Sequence, residues 1–175
     1  MLFESESTFV TIPYNISKYG IYSGQAILVG FFVSCYYRHY YLSIILFILY
    51  LTTMHYWRKI HHFSILKCLD VVLAFSAAFL LTFRYCHYFT PLCKKIWIIF
   101  AFILCSIFFI NEYIYYNKCI NKENTKSDGS LFSLKYVEEN TLEREQEYYR
   151  AVLTHCALVH ISPVFVYTFC CFSSM

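Results

Sequence analysis

Long apolar stretches with almost no charged residues are the feature that most limits how this chain can fold. Only 14% of its 175 residues are charged, whereas a soluble domain has about a quarter. A stretch of roughly 17–25 apolar residues is long enough to cross a bilayer as a helix. Five stretches fit this description: Tyr19–Tyr37, Tyr40–Trp57, Phe63–Phe83, Ile96–Ile110, which can extend to Tyr116, and Ala151–Phe172.

Helices are the expected form of these stretches. Backbone groups in lipid must be hydrogen-bonded within a helix or a closed barrel, and the stretches lack the alternation of barrel strands. We therefore predict an all-α, multi-pass transmembrane helix bundle with about five spans, in a single membrane domain covering residues 1–175. Only Arg38 and His39 separate the first two spans, so a very tight hairpin is required.

The region from Asn117 to Arg150, between the fourth and fifth spans, is polar. Asp128-Gly129-Ser130 is typical of a turn. Asn140 and Glu143 have the spacing of a capping box, which marks a helix start. We predict a helix that begins there, passes through Tyr149 and continues into the fifth span.

The distribution of Lys and Arg predicts the orientation, because cytoplasmic loops carry an excess of both. With five spans, ten of the 14 Lys and Arg residues share the side of the N-terminus, which we predict to be cytoplasmic. The other side carries Arg38, Arg84, Lys94 and Lys95. We expect a multi-pass protein of the endoplasmic reticulum, Golgi or plasma membrane.

The expected partners follow from the same charges. A net charge of +3 is too small and too scattered to indicate nucleic-acid binding. Membrane lipids are the expected partners, and a membrane-protein partner or a second copy of the chain remains an alternative.

Ionisable residues inside the spans indicate a site, because an Asp at mid-membrane costs about 2.5–3.5 kcal/mol. His55 ends the second span, Asp70 begins the third, and His155 and His160 lie early in the fifth. These positions share one side of the membrane. If spans two, three and five pack together, the side chains form one cluster suited to zinc or to general-base chemistry.

Spacing along the last span separates the two imidazoles. His155 and His160 are five residues apart, about 140° around an α-helix, so we expect them not to bind one metal together. Cys156 and His160 are four apart, share a face and could chelate zinc. A structural alternative remains open, in which the histidines lie at headgroup level and Cys156 fills the core.

Two segments together resemble the CREST superfamily of membrane hydrolases, which includes alkaline ceramidases, adiponectin and progestin receptors and myomaker-like proteins. Thr52-Thr53-Met54-His55 and Leu66-Lys67-Cys68-Leu69-Asp70 resemble its Ser-x-x-x-His and Leu-Asp elements. Cys156-Ala157-Leu158-Val159-His160 resembles its His-x-x-x-His element, with Cys at the first position.

The resemblance implies a zinc site with His55, Cys156 and His160 as ligands and Asp70 as the acid–base group. The implied reaction is hydrolysis of an amide or ester bond in a lipid such as a ceramide. Thr52 would replace the family's Ser, since Leu51 occupies that position, and two of seven helices are missing. In a second register His155 is the ligand.

Two functions remain in competition. The first is a zinc-dependent lipid amide or ester hydrolase, or a divergent relative of one. The alternative is a non-catalytic membrane protein, such as an assembly factor, a receptor remnant or a subunit of a membrane complex. Asp70 serves the first as an acid–base group, whereas in the second it could simply pair with Lys67, three residues earlier.

Overall fold

A computed structural model describes residues 14–58, 65–120 and 142–175, and all regular structure in these ranges is helical. The α-helices are α1 (Tyr14–Tyr36), α2 (Tyr40–Arg58), α3 (Ile65–Leu80), α4 (Pro91–Ile120), α5 (Leu142–His155) and α6 (Ser162–Phe172). A π-helical turn (Leu81–Tyr85) and a 3-10 turn (Cys86–Tyr88) extend α3, and a second π-helical turn (Cys156–Ile161) joins α5 to α6. The all-α helix bundle is confirmed.

Four helical stretches are long and apolar enough to cross a membrane: Tyr40–Arg58, Ile65–Tyr88, Pro91–Phe109 and Val152–Phe172. The chain is therefore a multi-pass helical membrane protein. Helix α1 has 23 residues, but Gln25 and several Gly, Ser and Tyr residues make it less apolar than these four. A fifth crossing by α1 stays a prediction, and with it the orientation of the N-terminus.

Both ends of the predicted polar region continue into helices. Helix α4 runs on to Ile120, and α5 begins at Leu142 and leads directly through the π-helical turn into α6. The helix predicted to pass through Tyr149 into the last span is confirmed. The turn at residues 128–130 and the capping residue Asn140 lie outside the described residues.

Helix α1 lies between α2 on one side and the last helix on the other. Its buried face is made mostly of small residues at intervals of three or four: Ser17, Gly20, Gly24, Ile27, Gly30 and Ser34. Small side chains let helix backbones approach closely in a membrane, where lipid offers no hydrophobic force to drive packing. The Trp57 ring of α2 lies directly over Gly20, and Val164 of α6 lies against Gly30.

The turn between α1 and α2 confirms the tight hairpin expected at Arg38 and His39. Arg38 adopts a left-handed conformation with φ of 58°. The N–H of His39 donates to the Ser34 carbonyl at 2.8 Å and that of Arg38 to the Cys35 carbonyl at 3.0 Å. This pair of bonds is a Schellman motif, in which the left-handed position is usually glycine.

Buried polar contacts hold this end of the bundle together. The Ser34 hydroxyl donates to the Ser43 hydroxyl of α2 at 2.8 Å, and His39 Nδ1 lies 2.8 Å from the Tyr167 hydroxyl of α6. Trp97 of α4 donates to the Thr82 hydroxyl, in the π-helical turn after α3, at 3.0 Å. Since the donors in these contacts are buried, each contact favours one arrangement of the segments that it joins.

Replacing Arg38 by glycine is expected to stabilise the fold. A left-handed conformation costs an L-residue about 1–2 kcal/mol, and glycine adopts it freely. Because glycine also gains freedom in the unfolded chain, we expect Arg38→Gly to raise the free energy of unfolding by about 1 kcal/mol, measured by titration with a denaturing detergent. Arg84→Gly, an Arg replaced in a helix, is the control and should destabilise.

Replacing Gly20 by alanine is expected to destabilise the α1–α2 contact. A Cβ atom at Gly20 would overlap the Trp57 ring, which is only 3% exposed and has little room to move. Overpacking of this kind costs about 1–3 kcal/mol. Gly30→Ala is the matched control, since its Cβ would lie 3.3 Å from Val164. The free energies of unfolding of both variants are measured by Trp fluorescence. Equal losses of stability in Gly20→Ala and Gly30→Ala would contradict the role given to Trp57.

Candidate functional site

The structure divides the residues predicted to form one cluster between two polar groups. The Asp70 group contains Asp70 of α3 with Thr52 and Thr53 of α2. The His160 group contains Ser23 of α1, Trp57 of α2, and His155, Cys156 and His160 of the last helix. The division arises because α1 packs between α2 and the last helix, so that the last helix meets α1 rather than α3.

Two threonine hydroxyls hold the Asp70 carboxyl. Thr53 donates to Asp70 Oδ1 at 2.5 Å and is fully buried, whereas Thr52 donates to the same oxygen at 3.4 Å. The Thr52 hydroxyl also donates to the Leu49 carbonyl at 2.9 Å, which is its shorter bond. The sequence singled out Thr52, and the structure adds Thr53 as the closer partner of the carboxyl.

His55 lies in the last turn of α2 with its side chain exposed. Among residues 14–58, 65–120 and 142–175, no three or more His, Cys, Asp or Glu side chains come together in a way that could hold a metal ion. The zinc set that joins His55 to Cys156 and His160 is therefore not assembled in the described part of the chain, and it stays a prediction.

His160 is the most deeply placed imidazole of the site, at 2% exposed. Its Nδ1 lies 2.7 Å from the Ser23 hydroxyl oxygen, and that hydroxyl donates to the Gly20 carbonyl at 3.2 Å. If the Ser23 proton is given to the Gly20 carbonyl, Nδ1–H donates to Ser23 and Nε2 carries the lone pair; in the other tautomer Ser23 donates to Nδ1 and Nε2 carries the proton. Within the described residues Nε2 is buried and has no hydrogen-bond partner.

The π-helical turn at Cys156–Ile161 brings His155 and His160 together, contrary to the α-helical spacing argument. A π-helical turn bonds residue i to residue i+5, so residues five apart lie nearly one above the other. The two ring centroids are 5.0 Å apart and the rings are nearly perpendicular, at 86°. The α-helical angle of about 140° therefore does not apply to this pair, because the local helix is not an α-helix. The expectation that the two imidazoles do not bind one metal together stays a prediction.

Cys156 completes the buried side of the same turn. Its thiol is 4% exposed and lies close to the Ser23 hydroxyl. It therefore shares a polar neighbour, Ser23, with His160. Ser23 itself was missed from the sequence, because a serine in a helix usually bonds only its own backbone; its position within Gly20-x-x-x-Gly24 was the available signal.

The indole of Trp57 closes the group from the side of α2. Its ring centroid is 5.4 Å from that of His155 and 6.0 Å from that of His160. Gly20 makes room for the indole by having no side chain. Trp57 therefore excludes lipid and water from one side of both imidazoles.

Comparison of the chain with known protein families, with characterised proteins and with solved structures finds no match. The resemblance to the CREST superfamily accordingly stays an expectation that these comparisons do not test.

Replacing Thr53 by valine is expected to destabilise the protein more than the same change at Thr52. Valine keeps the volume of Thr53 but removes the closer donor to a carboxyl inside a span, a loss of about 1–3 kcal/mol. Thr52→Val removes a bond of 3.4 Å to Asp70 and should cost less. The free energies of unfolding of the two variants check this order, and a larger loss for Thr52→Val would contradict it.

Proposed function

We propose that the protein hydrolyses an ester or amide bond of a membrane lipid, with the His160 group as its reactive centre. The observation that supports this most is the buried Nε2 of His160, which has no hydrogen-bond partner among the described residues. Buried polar atoms are almost always satisfied, so an atom left open in this way is a position for a substrate, a water or an ion.

The contact between Ser23 and His160 gives this nitrogen a defined chemical state. A histidine that donates from Nδ1 presents the lone pair of Nε2 in a fixed direction. Such a nitrogen can take a proton from an attacking water, as a general base does. A metal-binding imidazole likewise donates its other N–H to a neighbour that sets its orientation. Ser23 supplies that contact at 2.7 Å.

Zinc is the proposed cofactor, and His160 would hold it together with His155 or Cys156. When bound, zinc supplies a water of lowered pKa for attack on a carbonyl group. The chain's own residues then have distinct tasks. Ser23 orients His160, and Trp57 keeps solvent from one side of both imidazoles. Asp70 lies in the separate group with Thr53 and Thr52, so the acid–base role that the resemblance implies for it stays a prediction.

The substrate class follows from the surroundings of the group. His155, Cys156 and His160 lie on a helix with the length and composition of a membrane span, Val152–Phe172. A molecule that reaches them through the bilayer is a lipid, and the bond that a base and an activated water cleave is an ester or an amide. This agrees with the reaction implied by the resemblance to the CREST superfamily.

The packing of Trp57 favours a second candidate, a non-catalytic membrane protein. The indole contacts both imidazoles and lies over Gly20. In this alternative the His160 group is a packing contact that holds α1, α2 and the last helix together. Its polar atoms then serve stability, and changes to them alter folding rather than chemistry.

The decisive experiment uses the full chain in lipid nanodiscs. Zinc per chain and hydrolysis of fluorogenic ceramide-like amides and lipid esters are measured for the native protein, His160→Gln, Ser23→Ala and His55→Gln. We expect His160→Gln to lose zinc and with it most of the hydrolytic rate, since the zinc would supply the activated water. Ser23→Ala should lose less than His160→Gln and keep part of the zinc.

His55→Gln is the matched control, because it removes an exposed imidazole from the same part of the bundle. Full zinc and activity in this variant support the centre at His160. Loss of both would instead favour the ligand set predicted with His55. A folded native protein that binds no zinc and cleaves none of the lipids would favour the non-catalytic alternative.

A further inference from the structure

A cavity of about 590 Å³ lies at the other end of the bundle from the His160 group. It is bounded by the α1–α2 hairpin, by the 3-10 turn after α3 and by the residues that follow α6. Tyr37 lines the cavity, whereas Ser23 belongs to the His160 group. These residues are 14 positions apart in the chain, which is about 21 Å along a helix. The cavity is therefore a separate site.

Two arginines give the cavity its charge. Arg38 lines it from the hairpin and Arg84 from the end of the third span, and no Asp or Glu is among the lining residues. The Arg84 guanidinium lies 4.6 Å from the centre of the Tyr41 ring. A guanidinium resting on an aromatic face keeps its N–H groups available for an anion.

Two further polar side chains, Tyr37 and His39, line the cavity. The Tyr37 hydroxyl is buried and has no hydrogen-bond partner in the described part of the chain. His39 stacks on Tyr85 with ring centroids 4.2 Å apart and uses Nδ1 in its contact with Tyr167. Burial lowers the pKa of His39 below its ordinary value, so at neutral pH the positive charge comes from the two arginines.

The conformation of Arg38 fits a functional role for its side chain. Arg38 occupies a left-handed position that glycine would fill without strain. Strained backbone positions are often retained where a side chain has a task. Here the residue in the strained conformation contributes one of the two guanidinium groups that line the cavity.

We propose that this cavity binds a phosphate group, carried by the headgroup of an anionic membrane lipid. Arg38 and Arg84 bind phosphate oxygens, for which the planar guanidinium is well suited. Tyr37 donates a further hydrogen bond from inside the cavity. The apolar walls contributed by Phe89 and Met175 accept the first carbons of the lipid chains.

The location supports a lipid as the source of the phosphate. The cavity lies where helices end, and five tyrosines surround it: Tyr37, Tyr40, Tyr41, Tyr85 and Tyr88. Tyrosine concentrates at the level of the lipid headgroups, because its ring is apolar and its hydroxyl is polar. A free phosphate would meet the same arginines, so the two sources must be separated by experiment.

The test is native mass spectrometry of the full chain in detergent with three probes: dihexanoyl phosphatidic acid, dihexanoylglycerol and inorganic phosphate. We expect phosphatidic acid to bind and dihexanoylglycerol, which lacks the phosphate, not to bind. Arg38→Gln and Arg84→Gln should each weaken the binding of phosphatidic acid at least about tenfold, since a charge-assisted hydrogen bond is worth about 1.5–3 kcal/mol and 1.4 kcal/mol is a factor of ten. Tyr37→Phe should have a smaller effect.

Lys95→Gln is the control, because Lys95 is an exposed cation near this end of the bundle and does not line the cavity. It should bind phosphatidic acid as the native protein does. Tighter binding of phosphatidic acid than of inorganic phosphate assigns the site to a lipid, and equal affinities assign it to free phosphate; either result supports the phosphate site. Equal binding of dihexanoylglycerol and phosphatidic acid would overturn it, as would unchanged binding in both arginine variants.

The Arg38→Gly variant tests the same idea by a second route. It should be more stable than the native protein and yet bind phosphatidic acid at least about tenfold more weakly, through loss of the same charge-assisted bonds. If Arg38 had a structural role, Arg38→Gly would instead lower the free energy of unfolding. This result is independent of the proposed hydrolysis, because the variant leaves the His160 group unchanged.

Discussion

The close approach of α1 to its two neighbours is the constraint on which the rest of the structure depends. Lipid tails are as apolar as the helix surfaces, so helices in a membrane associate through close packing and internal polar contacts. Helix α1 achieves this with glycine and serine, and the indole of Trp57 fills the space over Gly20. The same approach brings Ser23 within 2.7 Å of His160, so the site exists because the helices can come this near.

The two ends of the bundle have different chemistry. The His160 group offers two imidazoles and a thiol to a lipid's reactive bond, whereas the cavity beside Arg38 offers positive charge to a phosphate. Helix α1 connects them, since Ser23 lies in α1 and Tyr37 directly follows its last residue. A lipid bound at the cavity would therefore contact the turn attached to the helix that carries Ser23, without either site sharing a residue with the other.

The sequence predicted the fold class, the tight hairpin at Arg38 and the continuous last helix, because length, charge and spacing determine these directly. It could not predict the rotation of α2, whose surface is apolar on all sides, and His55 is exposed as a result. It also missed the π-helical turn, which has no simple residue signature and which places His155 beside His160. Thr53 was passed over for Thr52 because one residue of rotation decides which hydroxyl meets Asp70.

The connections at the cavity end are very short: three residues separate α1 from α2, and Phe89 and Thr90 alone separate the third span from α4. Hydrogen bonds across both connections tie them to the helices, and Ser174 accepts from the Thr90 N–H at 2.9 Å. Residues inserted into either connection would therefore have to break these hydrogen bonds. Epitope tags or fusion partners inserted at either of these two connections are therefore expected to disturb the packing of the helices that they join.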